Sequence, residues 1–234
     1  MYIYECHILI DPTQEETLGS WTTIQQENDV KIPSEWFGGS LSWKKSLTVT
    51  STGIYPRQPM LSAIFNANSQ LEATQKTLLL QQWLISGNLT VVRTKLEALM
   101  TLDKLPDVWN EYEYLESHIK IECPLSDWHE LQSMCLPYGV QLLINPTSQN
   151  PLPVTTMRRY NTTAQQFAKE HSELVSNISK KWVIFKIHVE HGLFDSNVIT
   201  DSGWLFPGKN YQAKITEVDC DNRLKCPVNT IKNT

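Results

Sequence analysis

Apolar and polar positions alternate with a period of two in eight short stretches, and a helical period fills most of the gaps between them. In the first half, residues 3–10, 41–49, 60–65 and 89–99 read as strands; in the second, residues 114–122, 140–145, 154–160 and 182–191 do so. A helix is predicted after Asp11-Pro12-Thr13, capped by Asp11 or Thr13 and running to about Gln26. Ser69-Gln70-Leu71-Glu72 is a capping box that opens a second helix, which stops at Gly87. A third runs from Ser126 to about Leu136, with Trp128, Leu131 and Cys135 at helical spacing. A fourth starts at Thr162 or Thr163 and carries Phe167, His171, Leu174 and Ile178 along one face. Residues 28–39 read as a loop with an insertion, residues 55–59 as a turn and residues 214–218 as one short strand; the last ten or so residues are expected to be mobile.

The order βαββαβ therefore occurs twice. This predicts an α+β protein of two tandem βαββαβ ferredoxin-like repeats, with sheets facing or joined into one pseudo-symmetric unit. The expected division is residues 1–102 and 112–207 for the repeats, 103–111 for the linker and 208–234 for a C-terminal extension. A charged signature recurs with the elements. Tyr4-Glu5-Cys6-His7-Ile8 returns as Leu115-Glu116-Ser117-His118-Ile119, and Arg93-x-Lys95-x-Glu97 as Lys186-x-His188-x-Glu190.

A hydrophobic content of 41% in 234 residues suffices for a packed core, and a net charge of −5 argues against a nucleic-acid or membrane-surface binder. Arg158-Arg159 and Lys180-Lys181 are too short to change that, and are expected to be exposed at element ends. No leader and no apolar run of ~20 residues is visible, so a cytoplasmic protein is expected. The five cysteines lack C-x-x-C spacing, which points to reduced thiols, with Cys6 and Cys123 in the core.

Residues two apart on a strand share a face. Glu5 and His7 thus point one way, as do Arg93, Lys95 and Glu97; the second half offers Glu116, His118 and Lys120 beside Lys186, His188 and Glu190. If the polar faces meet, about ten such groups surround one cavity, and buried charges of this kind must be paired, wet or holding a ligand. The expected ligand is a small anionic, phosphate-containing molecule contacted by Arg93, Lys95, Lys120 and Lys186, with Asp195 at the end of the last strand. Metal-assisted hydrolysis of a phosphate ester or anhydride is the expected reaction. Glu5, His7, Glu116, His118 and His188 are the candidate catalytic groups, because imidazole titrates near neutrality. Glu97, Glu190, His7 and His118 form a two-His, two-Glu set suited to a divalent metal ion. The alternative is a non-catalytic scaffold for a protein partner, with cross-strand ion pairs contributing ~0.2–1 kcal/mol each.

Residues 203–210 match most of a phosphate-binding loop, but no hydroxyl residue follows Lys209, and Pro207 removes an amide. Glu116-x-His118-x-Lys120 is similar to the Glu-x-Glu-x-Lys strand of the triphosphate-tunnel family, which implies carboxylates on metal and a basic residue on phosphate. His118 replaces the second acid, and Leu9 stands where the first copy would need Lys. The paired His and Glu strands also look similar to vicinal oxygen chelate enzymes, whose modules are βαβββ, so their ligand set is not carried over. The paired Glu-x-His strands, Gln58-Pro59-Met60, Arg93-x-Lys95-x-Glu97, Asp195-Ser196-Asn197 and Asp201-x-Gly203-Trp204 together resemble a family of uncharacterised bacterial proteins across most of residues 1–205. That resemblance implies the architecture and the place of the site, and no activity.

Overall fold

The computed structural model describes residues 1–27, 37, 41–50, 55–110, 112–146 and 151–201. Twelve elements follow in order: β1 (Tyr2–Ile10), α1 (Glu15–Glu27), β2 (Ser42–Thr50), β3 (Arg57–Ala67), α2 (Gln70–Ser86), β4 (Val91–Met100), β5 (Tyr114–Glu122), α3 (Trp128–Cys135), β6 (Gln141–Ile144), β7 (Pro153–Arg159), α4 (Ala164–Ser179) and β8 (Val183–Asp195). The caps follow the sequence chemistry. Ser69 accepts from the Glu72 amide at the start of α2, and Thr163 from the Gln166 amide at the start of α4. Asp11 accepts from the Thr13 amide, but it caps a short 3-10 turn, Pro12–Gln14, that precedes α1.

The strands form one closed antiparallel barrel in the order β1-β3-β2-β6-β7-β5-β8-β4. Two seams join the halves: β4 against β8, and a short contact of β2 with β6 through Val49↔Ile144 and Thr50↔Leu143. Closure leaves no long unpaired edge, and eight strands enclose a space that side chains fill or one small ligand occupies.

Alternation along the strands sorts the residues between two environments. Ile8, Ile10 and Leu96 pack with Leu80 and Leu84 of α2 in one apolar core. Ile119, Ile121 and Val189 pack with Leu131 of α3 and Phe167, Leu174 and Ile178 of α4 in another. The oily positions therefore face outward under the helices, and Cys6 and Cys123 are buried among them. The complementary positions, which carry the charges, face the barrel interior.

Two boundaries and one burial differ from the sequence reading. β3 begins at Arg57 instead of Met60, so Gln58 lies in the strand and not in a turn. β8 runs on to Asp195, because His191, Gly192 and Phe194 find partners in Ala98, Glu97 and Leu96 of β4. Arg158, expected to be exposed, is buried in the barrel. Most of residues 28–39, the strand expected at 214–218, the 203–210 motif and the extension at 208–234 lie outside the described residues. Among the described residues no helix is long and apolar enough to cross a membrane.

Candidate functional site

A cavity of about 270 Å³ opens inside the barrel, lined from the first half by Glu5, His7, Lys44 and Lys95, and from the second by Glu116, His118, His188 and Glu190. Strand register creates this convergence. Glu5 lies opposite Glu97 and His7 opposite Lys95 across β1 and β4; Glu116 lies opposite Glu190 and His118 opposite His188 across β5 and β8.

Each opening-strand histidine is held the same way. His7 Nδ1 is 2.9 Å from Ser62 Oγ on β3, and His118 Nδ1 is 2.9 Å from Thr156 Oγ1 on β7. That bond fixes the ring and turns Nε2 toward the carboxylates. His7 Nε2 stands 3.4 Å from Glu97 Oε2 and 3.6 Å from Glu5 Oε1. His118 Nε2 stands 3.4 Å from Glu190 Oε2 and 4.0 Å from Glu116 Oε1. Glu97 Oε2 and Glu190 Oε2 are both buried without a hydrogen-bond partner. Buried carboxylate oxygens are seldom left so.

Behind the cavity runs a network of buried ion pairs. The Arg93 guanidinium grips Asp195 and Asp201 (2.6 Å from Nη2 to Asp201 Oδ2). Arg158 donates from Nη1 to Asp201 Oδ2 at 2.7 Å and from Nη2 to both oxygens of Glu116 at 3.0 and 2.9 Å. Lys95 Nζ lies 2.7 Å from Glu97 and 3.2 Å from Glu116. Tyr114 donates its hydroxyl to Glu97 Oε1 at 2.9 Å, and its ring lies 4.2 Å beneath the Arg158 guanidinium. The ring fits only because position 192 is glycine, since a Cβ there would come within 2.2 Å of Tyr114 Cζ.

These pairings leave a charge imbalance. Among the described residues, six carboxylates (Glu5, Glu97, Glu116, Glu190, Asp195, Asp201) stand in and beneath the cavity against four permanent cations: Arg93, Lys95 and Arg158, which pair with them, and Lys44 at the rim. Protons answer part of it. Burial lifts the Glu97 carboxyl to about 8 although Lys95 opposes the shift. His118 is raised to about 9, because the Glu190 and Glu116 carboxylates outweigh its burial. Burial also acts against Glu190, yet His118 holds it below the usual carboxylate range. Burial lowers His7, and burial together with Lys186 lowers His188.

Among the described residues, two groups of side chains in this interior could hold a metal ion. Glu5, His188 and Glu190 form one, and Glu116, His118 and Glu190 the other; within each, one donor atom per residue lies within 4.8 Å of the others. Of the set expected from the sequence, Glu190 and His118 belong to these groups. His7 and Glu97 meet each other but close no such group among the described residues, although Lys95 and Tyr114 engage only Oε1 of Glu97 and leave Oε2 without a hydrogen bond.

The expected anion contacts are placed differently. Arg93 and Lys95 line the cavity, but their donors are committed to carboxylates. Lys120 and Lys186 do not line it: they face each other across β5 and β8, Lys186 is exposed, and the Lys120 ammonium rests 5.5 Å over the Phe185 ring. Asp195 lies beneath the cavity on Arg93. Sequence reasoning missed Arg158, Asp201, Tyr114, Lys44, Ser62 and Thr156. For Arg158 and Thr156 a signal existed: Val154, Thr156 and Arg158 are in phase on one predicted strand, and share the polar face once that strand is set inside a barrel.

No family model and no curated protein matches the chain. Among solved structures it is similar to a provisionally named chlorite dismutase, at 8% identity over 82% of this chain and 95% of that one, with a TM-score of 0.28. It is also similar to a provisionally named monooxygenase from Lactobacillus acidophilus NCFM, at 11% identity over 86% and 97% of the two chains, with a TM-score of 0.29. Scores this low carry no argument about activity.

Proposed function

We propose that the barrel interior is a divalent-metal site, and that it binds a small anionic, phosphate-type ligand through the metal. The observation that carries this reading is Glu190: a buried carboxylate with one oxygen lacking a hydrogen bond, shared by two His/Glu groups of ligating geometry. Mixed carboxylate and imidazole donors suit a divalent transition ion. The surplus of buried carboxylates favours a cation as first occupant. Arg93 and Lys95 are neutralised, so an anion would be drawn by the bound ion and by Lys44 at the rim, which makes no ion pair among the described residues. Hydrolysis of a phosphate ester or anhydride is the reaction class that fits. His7, kept neutral by burial, would accept a proton from water at Nε2 while Nδ1–H donates to Ser62.

We also infer that the two halves are copies of one βαββαβ unit of ferredoxin-like type. The support is positional: Glu5, His7, Ser62 and Glu97 stand in the same mutual register as Glu116, His118, Thr156 and Glu190.

The experiment is a thermal-shift series with Mn²⁺, Zn²⁺ and Mg²⁺, each with and without phosphate, on wild type and Glu190→Gln. An ion at a hundredfold excess over Kd stabilises the fold by about 2.7 kcal/mol. A shift in wild type that is absent in Glu190→Gln is expected. If no ion shifts the wild type, the proposal is wrong.

A further inference from the structure

Glu190 belongs to two ligand groups at once, one on each side of its carboxylate partners. A divalent ion binds carboxylate oxygen and imidazole nitrogen at about 2.0–2.2 Å, so two of its donors stand at most ~4.4 Å apart. The donors in each group already lie within 4.8 Å of one another, so each needs to contract by only a few tenths of an ångström. We propose that the centre is dinuclear, with Glu190 bridging one ion held by Glu5 and His188 and a second held by Glu116 and His118. This rests on the metal reading above and deepens it.

The donors have capacity for both ions. A carboxylate offers about four lone-pair positions. Glu116 Oε2 accepts from Arg158 and Lys95, whereas Oε1 accepts only from Arg158 and is the oxygen nearest His118. His118 has Nε2 to give, since Nδ1 is engaged by Thr156. Glu190 Oε2 is buried and has no hydrogen bond of normal length; it faces His118 Nε2 at 3.4 Å, so an ion held there would take the place of a proton between the two.

Charge then says what the second ion does. Six carboxylates against four permanent cations, Lys44 at the rim included, leave at most two uncompensated negative charges. One dication is enough to neutralise them, and a second makes the interior positive. The anionic ligand is therefore drawn most strongly once the second ion is bound. Paired ions about 3.5–4 Å apart are a clamp for the oxygens of a phosphoryl group.

The test uses the full chain, stripped with chelator and titrated with Mn²⁺ while bound metal is counted by native mass spectrometry and followed by electron paramagnetic resonance. Wild type is expected to bind two ions with an exchange-coupled spectrum, and inorganic phosphate to raise Tm only after both are bound. Glu5→Gln, a near-isosteric change, is expected to fold, to bind one ion and to lose the phosphate response. Glu190→Gln is expected to lose both ions. A single ion in wild type would overturn the dinuclear centre, and two ions retained in Glu5→Gln would overturn the ligand set proposed for it; either leaves the metal reading standing. No ion in wild type overturns both.

Discussion

In the first half of the barrel, His7 faces Glu5 and Glu97 with Lys95 directly across from it; in the second, His118 faces Glu116 and Glu190 with His188 across from it. The rings are pinned alike, by Ser62 and Thr156, and their Nε2 atoms stand equally far from Glu97 and Glu190. What differs is the neighbour. Lys95 supplies a fixed positive charge 2.7 Å from Glu97 and, with Tyr114, occupies its Oε1, while Oε2 stays without a hydrogen bond as in Glu190. His188 supplies a ring nitrogen in place of an ammonium, and the group that faces Glu190 Oε2 is the titratable His118 at 3.4 Å. Both metal-capable groups accordingly contain Glu190, and neither contains Glu97. One shared strand geometry gives a salt bridge on one side and a group that could hold an ion on the other, and the two sides differ by the exchange of Lys for His.

A second asymmetry lies one step back. Opposite Glu5 on β3 stands Ile64; opposite Glu116 on β7 stands Arg158. Arg158 holds Glu116 and Asp201 together and is almost fully buried. Removing one partner of a buried network leaves its charges uncompensated, at a cost of about 3–5 kcal/mol. Arg158→Met is therefore expected to lower unfolding stability by that amount in urea titrations. Ile64→Ala, at the partly exposed counterpart, is expected to cost about 1–2 kcal/mol, less than a fully buried truncation. Equal losses in the two variants would remove the second-half anchor from the account.

Acid should strike the same anchor next. Burial opposes ionisation of Asp201, but Arg93 and Arg158 hold its carboxyl down at about 2. A folded-state value below the unfolded one means stability that is fully present above pH ~4 and lost as pH falls through about 2. A shift of this size corresponds to about 2–3 kcal/mol. Asp201→Asn is expected to flatten the acid limb of the stability profile between pH 4 and pH 2, at the expense of stability near neutrality. An unchanged acid limb would show that the two arginines do not depend on this carboxylate.

The strands and helices were legible because their signals are local: alternation in β1 and β5, the Ser69 and Thr163 caps, the helical spacing of Phe167, His171, Leu174 and Ile178. The inward face was legible as well, since parity alone places Glu5 with His7 and Glu116 with His118. Barrel closure was not legible. The β2–β6 seam rests on Val49, Thr50, Leu143 and Ile144, an apolar patch with no feature to mark it as a junction. Without closure, Arg158 reads as a surface charge at a strand end, and Lys120 and Lys186 read as site residues although the cavity ends before them. Asp201 was read as turn chemistry at a short motif, and nothing in its neighbours states that two arginines await it.

The Lys/His exchange can be reversed. Lys95→His would give the first half the neighbour that the second half has, and would release Glu97. If the comparison is right, the variant is less stable without metal, because Glu97 and Glu116 lose their ammonium. It is expected to bind Mn²⁺ about tenfold more tightly by calorimetry, a gain on the scale of altered outer-shell partners. Weaker or unchanged binding would mean that Lys95 supports the centre and does not compete with it.

The hydroxyls that pin the rings allow the finest discrimination. Thr156 is fully buried, and its bond to His118 Nδ1 sets both the orientation of that ring and the nitrogen left for a ligand. Thr156→Val keeps the shape and removes the bond, whose net worth is about 1 kcal/mol. If His118 is a ligand, that loss appears as roughly fivefold weaker metal binding. Ser62→Ala removes the matching bond from His7, which belongs to neither ligand group, and the bond Ser62 shares with Ser46, so metal affinity should stay within about twofold while stability falls by ~1–2 kcal/mol. The two substitutions are thus expected to differ in urea only by the Ser46 bond and to separate clearly in a metal titration. That separation depends on the roles assigned to His118 and His7, because the hydrogen bonds themselves have the same length.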